Sequence, residues 1–324
     1  MVDQPLISIV IPAHNAARFL GATLDSVLAQ HEERWECVVI DDRSSDDTLA
    51  LARRYEQMDR RIHVYSAAAG GPSAARNHGF RHIAEGSRYV SFMDSDDVWL
   101  PHALATLVAR LETTPGAIGS HGLAEFIDTA GAPLEPGAYA EIGRRRLGLE
   151  GRRLITWPLD RPTCFEVLAN GNVLFPPGLV LARRDAYERA GPFDETLSAA
   201  EDWDMLIRLS RFGDIAFAND VILLYRRHDQ NLGARETVPE QAWRVRCIAF
   251  HAPENSPAQR RIARRGWRAY QVHTARQRLG SALSALREHR LRAAALLMLR
   301  LPVHALRYVR GYPLPRARRE LLTW

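Results

Sequence analysis

Four short, predominantly apolar segments alternate with amphipathic segments at the start of the chain, and this alternation constrains the fold more than any other feature. The apolar segments are Leu6–Ile11, Cys37–Ile40, Ile62–Tyr65 and Tyr89–Met93. Each predicts a buried strand. The intervening segments predict helices over Ala16–Gln30, Asp46–Tyr55 and Ser73–Ala84. Strands that alternate with helices predict an α/β fold with a doubly wound, mostly parallel sheet.

Polar side chains follow three of these predicted strands. Asn15 comes after the first strand, Asp41 and Asp42 after the second, and Asp94–Asp97 after the fourth. Doubly wound sheets bind ligands in the crevice at the carboxyl ends of their strands. The sequence therefore predicts a ligand site at this edge of the sheet.

The second half of the chain is less regular. Between Gly131 and Gly178 we expect variable loops with a few short strands or helices. Regular patterns then predict a strand at Leu179–Ala182, helices at Arg184–Ala190 and Ala200–Phe212, and a last strand at Ile215–Tyr225. Beyond Arg235 the chain predicts helices interrupted at Pro253, Pro257 and Pro302. We expect a catalytic domain over residues 1–235 and an arginine-rich helical region over residues 236–324.

The basic charge of the chain is concentrated near its C-terminal end. All 43 basic residues are arginines, and Arg244–Trp324 contains 18 of them against three acidic residues. This balance favours contact with an anionic surface, either membrane phospholipid or nucleic acid. Leu291–Val309 mixes leucines with arginines, which is typical of a helix lying in a membrane interface. The alternative is that its apolar residues pack against the catalytic domain.

Cysteines and hydropathy indicate a cytoplasmic protein. Cys37, Cys164 and Cys247 are far apart and lack the C-x-x-C spacing of zinc or redox sites, so we expect reduced thiols. The N-terminal residues lack the pattern of a signal peptide, and no run of about 18 apolar residues predicts a membrane span. Any contact with the inner face of a membrane is therefore expected to be peripheral.

Five motifs occur in one order along the chain. They are I-V-I-P-A-H-N (Ile9–Asn15), V-I-D-D-R-S-S-D-D-T (Val39–Thr48), G-G-P-S-A-A-R-N (Gly70–Asn77), F-M-D-S-D-D-V-W (Phe92–Trp99) and E-D-W-D (Glu201–Asp204). Together they resemble the family 2 glycosyltransferases over most of Leu6–His228. The resemblance implies a glycosyltransferase A fold. It also implies inverting transfer of a sugar, with a UDP-sugar favoured as donor, to a hydroxyl of a glycan or lipid-linked acceptor in cell-surface polysaccharide synthesis.

The acidic motif after the fourth strand predicts a metal site. Negative charge grows on the diphosphate as it leaves, and Mg²⁺ or Mn²⁺ held by carboxylates stabilises such charge. By resemblance, Asp96 binds the metal, Asp94 contacts the ribose or a metal-bound water, and Ser95 belongs to the nucleotide-sugar site. Asp97 is a further ligand or caps a helix that starts near Pro101. The alternative is that the whole motif only caps this helix.

The resemblance also implies where the nucleotide base is bound. Asp42 stands where family members hydrogen-bond uracil, and Arg76 stands where they reach the nucleotide or its diphosphate. The remaining residues expected in the nucleotide-sugar site are Pro12, Ala13, His14 and Asn15. Family members usually carry tyrosine at the position of His14, which leaves the identity of the base open. The alternative for Arg76 is an ordinary solvated arginine.

Inverting transfer needs a base that takes the proton of the acceptor hydroxyl. By resemblance, Asp202 is this base and Glu201 orients the acceptor or its loop. The alternative is that both acids only stabilise the N-terminus of a helix. His228 stands where many members of the fold have a histidine that contacts the metal or the diphosphate, although a lone histidine is more often structural.

Rival functions fit the sequence less well. A nucleotidyltransferase needs a glycine-rich loop after its first strand, and here that loop reads P-A-H-N-A-A-R. A processive polysaccharide synthase is expected to have membrane spans and a Q-x-x-R-W motif, and this sequence shows neither. A nucleic-acid-binding protein could use the basic tail, but the arginines form no recognisable binding motif, so we expect no nucleic-acid partner.

Overall fold

An eight-stranded, mostly parallel sheet forms the centre of the molecule in the computed structural model, which describes residues 6–135, 146–150, 153–229, 231 and 238–287. Ten strands occur in these residues, and β7 and β8 form a separate hairpin outside the main sheet. In chain order they are β1 (Ile7–Ala13), β2 (Trp35–Asp41), β3 (Ile62–Ser66), β4 (Tyr89–Phe92), β5 (Val98–Trp99), β6 (Gly119–Ile127), β7 (Leu147–Glu150), β8 (Arg153–Thr156), β9 (Val180–Arg183) and β10 (Ile215–Arg226).

The strand order confirms the predicted doubly wound α/β fold. The main sheet runs β3-β2-β1-β4-β9-β6-β10-β5, and β3, β2, β1 and β4 are parallel neighbours. The chain order reverses at β1, so the carboxyl ends of β1, β2 and β4 meet at one edge. Two strands depart from the parallel pattern, because β9 is antiparallel to both of its neighbours and β5 is antiparallel to β10.

Helices connect and cover the strands. They are α1 (Leu20–Leu28), α2 (Thr48–Met58), α3 (Pro72–Phe80), α4 (Ala103–Glu112), α5 (Phe165–Asn170), α6 (Arg184–Ala190), α7 (Glu201–Leu209), α8 (Val238–His251) and α9 (Pro257–Arg287). Helix α3 lies close against β1, where a Cβ atom on Gly79 would come within 2.4 Å of Val10 Cγ1. A glycine is therefore needed for this helix to approach the strand.

Helices α8 and α9 pack on the rest of the described molecule. Val245, Ile248 and Ala249 of α8 belong to the main hydrophobic core. Helix α9 crosses α5 so closely that a Cβ atom on Gly266 would lie 2.2 Å from Asn170 Oδ1. The predicted helices beyond Arg235 are thus present over residues 238–287, with the expected break between α8 and α9.

Part of the region with weak sequence patterns forms regular secondary structure. The weakly patterned stretch from Gly131 to Gly178 contains the β7–β8 hairpin and α5.

The proposed interfacial segment Leu291–Val309 lies outside the described residues. Across the part of the chain that is described, we find no helix with the length and hydropathy required for crossing a bilayer. The three cysteines are unpaired, and burial raises the pKa of the Cys247 thiol to about 12.

Candidate active site

The acidic turn after β4 brings three carboxylates together. Potential ligand atoms of Asp94, Asp96 and Asp97 lie within 4.8 Å of one another. Burial raises the pKa of Asp94 to about 6; Arg76 opposes the rise and Asp96 adds to it. Burial and the neighbouring acids also raise the pKa of Asp97 well above its ordinary value. Carboxylates at this spacing repel one another, and a cation held among them would relieve this repulsion. A metal site at this turn stays a prediction.

Asp97 is the most deeply buried of the three acids. Its Oδ1 accepts a hydrogen bond from the backbone N–H of Arg226 at 3.1 Å, whereas its Oδ2 is buried without a hydrogen-bond partner. It does not cap a helix, because α4 begins at Ala103 after His102 and has no side-chain cap. The capping alternative for Asp97 is therefore wrong. The unpartnered oxygen fits the oxygen-donor set that hard divalent cations prefer.

His228 meets Asp96, its partner in the predicted metal site. Its Nε2 lies 2.8 Å from Asp96 Oδ2, and its ring stacks on Phe19 with centroids 4.9 Å apart. Asn231 Oδ1 accepts a hydrogen bond from the backbone N–H of His228 at 2.6 Å. The stack and this bond fix the imidazole beside the acidic turn. Whether His228 binds metal stays a prediction.

Arg226 was missed by the sequence interpretation, although it holds the acidic turn in place. Its Nε donates to the carbonyl of Asp96 at 2.9 Å, and its backbone N–H bonds Asp97. Its Nη1 donates to the carbonyl of Asp128 at 3.2 Å. One buried arginine thus fixes both the acidic turn and the segment that follows β6. No sequence motif distinguishes it from the adjacent Arg227.

Arg76 joins the acidic turn to Glu201, the residue before the predicted base. Its Nη1 donates to Glu201 Oε1 and its Nη2 to Asp94 Oδ1, each at 2.7 Å. The residue is 2% exposed. It is therefore not a solvated arginine, and both of its terminal nitrogens already bind carboxylates. Direct contact between Arg76 and the diphosphate stays a prediction, because these ion pairs compete with it.

Asp202 lies in the first turn of α7, beside Glu201. Burial raises its pKa to about 7; the negative charge of Glu201 adds to the rise and Arg76 opposes it. The chain enters the helix through Ala200, whose φ of 60° is left-handed. A residue other than glycine in this conformation costs about 1 kcal/mol, which tertiary packing must offset. The arrangement yields a carboxylate whose proton affinity suits a base near neutral pH.

The predicted base pocket lies at the ends of β1 and β2. Both carboxylate oxygens of Asp42 accept backbone N–H bonds from the loop Ala69–Gly71 at 2.7–3.0 Å. His14 Nδ1 lies 2.7 Å from the carbonyl of Asp42, and Asn15 Oδ1 accepts a bond from Ser45 N–H at 2.8 Å. Asp42 thus orders the glycine loop before α3. Each carboxylate oxygen already accepts two of these backbone bonds, so a base would have to compete with the loop, and a bond between Asp42 and a base stays a prediction.

The remaining members of the predicted pocket line this region to different degrees. Pro12 and Ser95 are partly buried, His14 and Asn15 are exposed, and Ala13 is buried within β1. The carbonyl of Ala13 accepts the backbone N–H of Asp42 at 2.8 Å, which ties β1 to β2 where both strands end. The strand ends therefore present His14 and Asn15 to a ligand more readily than Ala13.

Comparison with known proteins identifies the family. The model of glycosyl transferase family 2 matches residues 8–189, which is more than half of the chain. The chain belongs to glycosyltransferase family 2. Curated relatives include TuaG of Bacillus subtilis, a glycosyltransferase named for teichuronic acid biosynthesis, which is 42% identical over 97 residues. This alignment covers 30% of the chain and 38% of TuaG.

A second relative and a solved structure extend the comparison. WfgD of Escherichia coli, a UDP-Glc:alpha-D-GlcNAc-diphosphoundecaprenol beta-1,3-glucosyltransferase, is 33% identical over 111 residues, or 34% of this chain and 42% of WfgD. The mannosyltransferase PcManGT of Pyrobaculum calidifontis, solved with GDP-Man and Mn²⁺, superposes with a TM-score of 0.63 and 18% identity. That superposition covers 99% of this chain and 85% of PcManGT and supports the glycosyltransferase A fold. The chain spans less than half the length of the two curated relatives.

Two tryptophans next to the acidic motifs belong to the core of the molecule. Trp99 and Trp203 are each 2% exposed. The indole N–H of Trp99 donates to the carbonyl of Gly178, and that of Trp203 donates to the carbonyl of Leu168. These bonds anchor the acidic turn and helix α7 from beneath. The tryptophans therefore support the site and do not face a sugar.

Proposed function

We propose that this glycosyltransferase moves a sugar from a UDP-sugar to a hydroxyl of a glycan or lipid-linked acceptor in cell-surface polysaccharide synthesis, with inversion at the anomeric carbon. One observation carries the proposal. Buried Arg76 binds Asp94 of the acidic turn and Glu201 beside Asp202, both at 2.7 Å. A donor site and a base are thereby held at a fixed separation, as direct displacement requires.

The donor half of the site fits Mg²⁺ or Mn²⁺. Asp96 would hold the ion together with oxygens of Asp94 and Asp97, and His228 would be a nitrogen ligand. When bound, the ion neutralises charge on the leaving diphosphate. Arg226 keeps the acidic turn in position through its bonds to Asp96 and Asp97.

In the acceptor half, Asp202 removes the proton from the attacking hydroxyl. The acceptor oxygen then forms its bond to the anomeric carbon while the bond from that carbon to the diphosphate oxygen breaks. The proton stays on the Asp202 carboxyl and is later released to solvent. A raised pKa makes the carboxylate a stronger base, and the value of about 7 matches proton transfer near neutral pH. Glu201 is held by Arg76 and orients the first turn of α7, which carries the base.

The donor and acceptor classes are supported by the relatives. WfgD is named for a UDP-sugar donor and a diphosphoundecaprenol acceptor, and TuaG is named for a surface polysaccharide. PcManGT was solved with a GDP-sugar, so the choice of uracil depends on Asp42 and His14. A lipid-linked acceptor would place the enzyme in the cytoplasm at the inner face of the membrane, where its contact would be peripheral.

Two substitutions separate the proposed roles. Asp96→Ala is expected to weaken UDP binding in the presence of Mn²⁺, measured by calorimetry, because a metal ligand is lost. Asp202→Asn is expected to leave that binding nearly intact while transfer falls at least about a hundredfold, the lower range for loss of a general base. Asp185→Asn is the matched control, since Asp185 is likewise the second residue of a helix, α6. Full transfer activity in Asp202→Asn would refute the assignment of the base.

A further inference from the structure

Helix α9 presents a row of arginines to solvent. Arg261, Arg264, Arg265 and Arg268 are all exposed. At 3.6 residues per turn their side chains fall within an arc of about 100° on one face of the helix. Eight arginines and no acidic residue occur between Pro257 and Arg287. In the described part of the chain, none of the four forms an ion pair with a carboxylate.

The same face continues into exposed leucines. Leu279 and Leu283 are 44% and 47% exposed, although most leucines whose exposure is described are buried. Their positions on the helix coincide with those of Arg261 and Arg265, because 18 residues complete about five whole turns. We call Arg261, Arg264, Arg265, Arg268, Leu279 and Leu283 the α9 stripe. It extends for about 33 Å at 1.5 Å per residue.

The opposite face of α9 fixes this stripe to the enzyme. Ala263, Gly266 and Trp267 are buried, and Trp267 packs near Trp243 of α8 with ring centroids 6.3 Å apart. Gly266 lies against Asn170 at the end of α5. Helix α5 also accepts the indole N–H of Trp203, the residue after the proposed base. The stripe is thus tied through packed helices to the helix that carries Asp202.

We propose that the α9 stripe is the docking surface for an anionic lipid bilayer. The arginines complement lipid phosphates, and Leu279 and Leu283 enter the boundary between headgroups and acyl chains. Nucleic acid would be complemented by the arginines alone and gives the exposed leucines no role. This proposal rests on the peripheral location proposed above and names the surface that makes the contact.

The test compares the full-length enzyme with a stripe variant in which Arg261, Arg264, Arg265 and Arg268 are replaced by glutamine, which keeps helix propensity. Sedimentation with phosphatidylglycerol-containing vesicles and with pure phosphatidylcholine vesicles gives the partition coefficients. In a matched control variant, glutamine replaces four arginines that are exposed elsewhere on the molecule, namely Arg54, Arg60, Arg81 and Arg88. Because each arginine near an anionic leaflet contributes about fivefold to partitioning, the stripe variant should lose at least about tenfold.

The control variant is expected to stay within about twofold of the wild type, and Leu279→Ser with Leu283→Ser should lower partitioning further. Equal losses in the stripe and control variants, or no loss in either, would overturn the proposal. So would stripe-dependent binding to an RNA oligonucleotide that is tighter than binding to the vesicles. Transfer to a soluble acceptor is measured in parallel. If the wild type transfers sugar to the soluble acceptor but does not bind vesicles, the proposed docking surface is refuted while the proposed glycosyltransferase function is supported.

Discussion

Replacing Arg76 by methionine tests whether the bridge between the acidic turn and α7 is essential. Methionine approximates the volume of arginine but leaves Glu201, whose side chain is 6% exposed, without its cationic partner. Removing one member of a buried ion pair destabilises a protein by about 3–5 kcal/mol, because the remaining charge stays desolvated. We therefore expect Arg76→Met to lower the free energy of unfolding by roughly this amount. Asp94 is more exposed, so its loss of a partner adds less.

Urea unfolding at constant pH measures this change, and two further variants give it meaning. Arg88→Met removes an exposed arginine that pairs with Glu112 and should cost less than about 1 kcal/mol. The double variant Arg76→Met/Glu201→Gln should be more stable than Arg76→Met alone, because the unpaired buried charge is then absent. An Arg76→Met enzyme with wild-type stability but weakened UDP binding would refute the bridge. It would show instead that Arg76 is a direct ligand of the nucleotide.

Two further predictions concern pH and donor choice. The rate constant kcat/KM should fall as the pH drops through about 7, because the base is active only when Asp202 is ionised and its pKa is raised to about 7. Arg76→Met should shift this fall in kcat/KM to higher pH, since Arg76 lowers the pKa of Asp202. A flat profile between pH 5.5 and 8 would contradict this. UDP should bind more tightly than GDP or dTDP in calorimetry with Mn²⁺, and a tenfold preference for either rival would contradict the base pocket of Asp42 and His14.

The sequence predicted strands in which apolar residues dominate and missed β6, where buried polar residues and glycines interrupt the apolar pattern. Most residues of β1 and β2 are buried apolar or β-branched side chains, so their pattern is visible without tertiary information. Strand β6 reads G-S-H-G-L-A-E-F-I. Ser120 and His121 are fully buried within it, where the Ser120 hydroxyl donates to the carbonyl of Leu107 and His121 Nε2 bonds the Thr163 hydroxyl. Only these distant partners make such residues acceptable in a core strand.

The site was predictable in its parts and less so in its connections. The acidic segments follow strands whose carboxyl ends meet at one edge, so their convergence follows from the fold class. Arg76 and Glu201 are 125 positions apart, and His228 and Asp96 are 132 positions apart. No spacing rule joins residues so distant in sequence. Family resemblance assigned each of them to the site, but the pairing of Arg76 with two acids is visible only in the three-dimensional structure.

Helices α8 and α9 differ from the rest of the molecule in composition but not in packing. The division near residue 235 is a prediction based on the concentration of arginine. Yet Arg246 of α8 stacks over Trp203 at 4.8 Å and donates to the carbonyl of Asn170 at 2.6 Å. These contacts brace the helix that carries Asp202, so loss of α8 would disturb the base as well as the surface charge. An arginine of this basic region can therefore serve the core of the molecule as well as its surface charge.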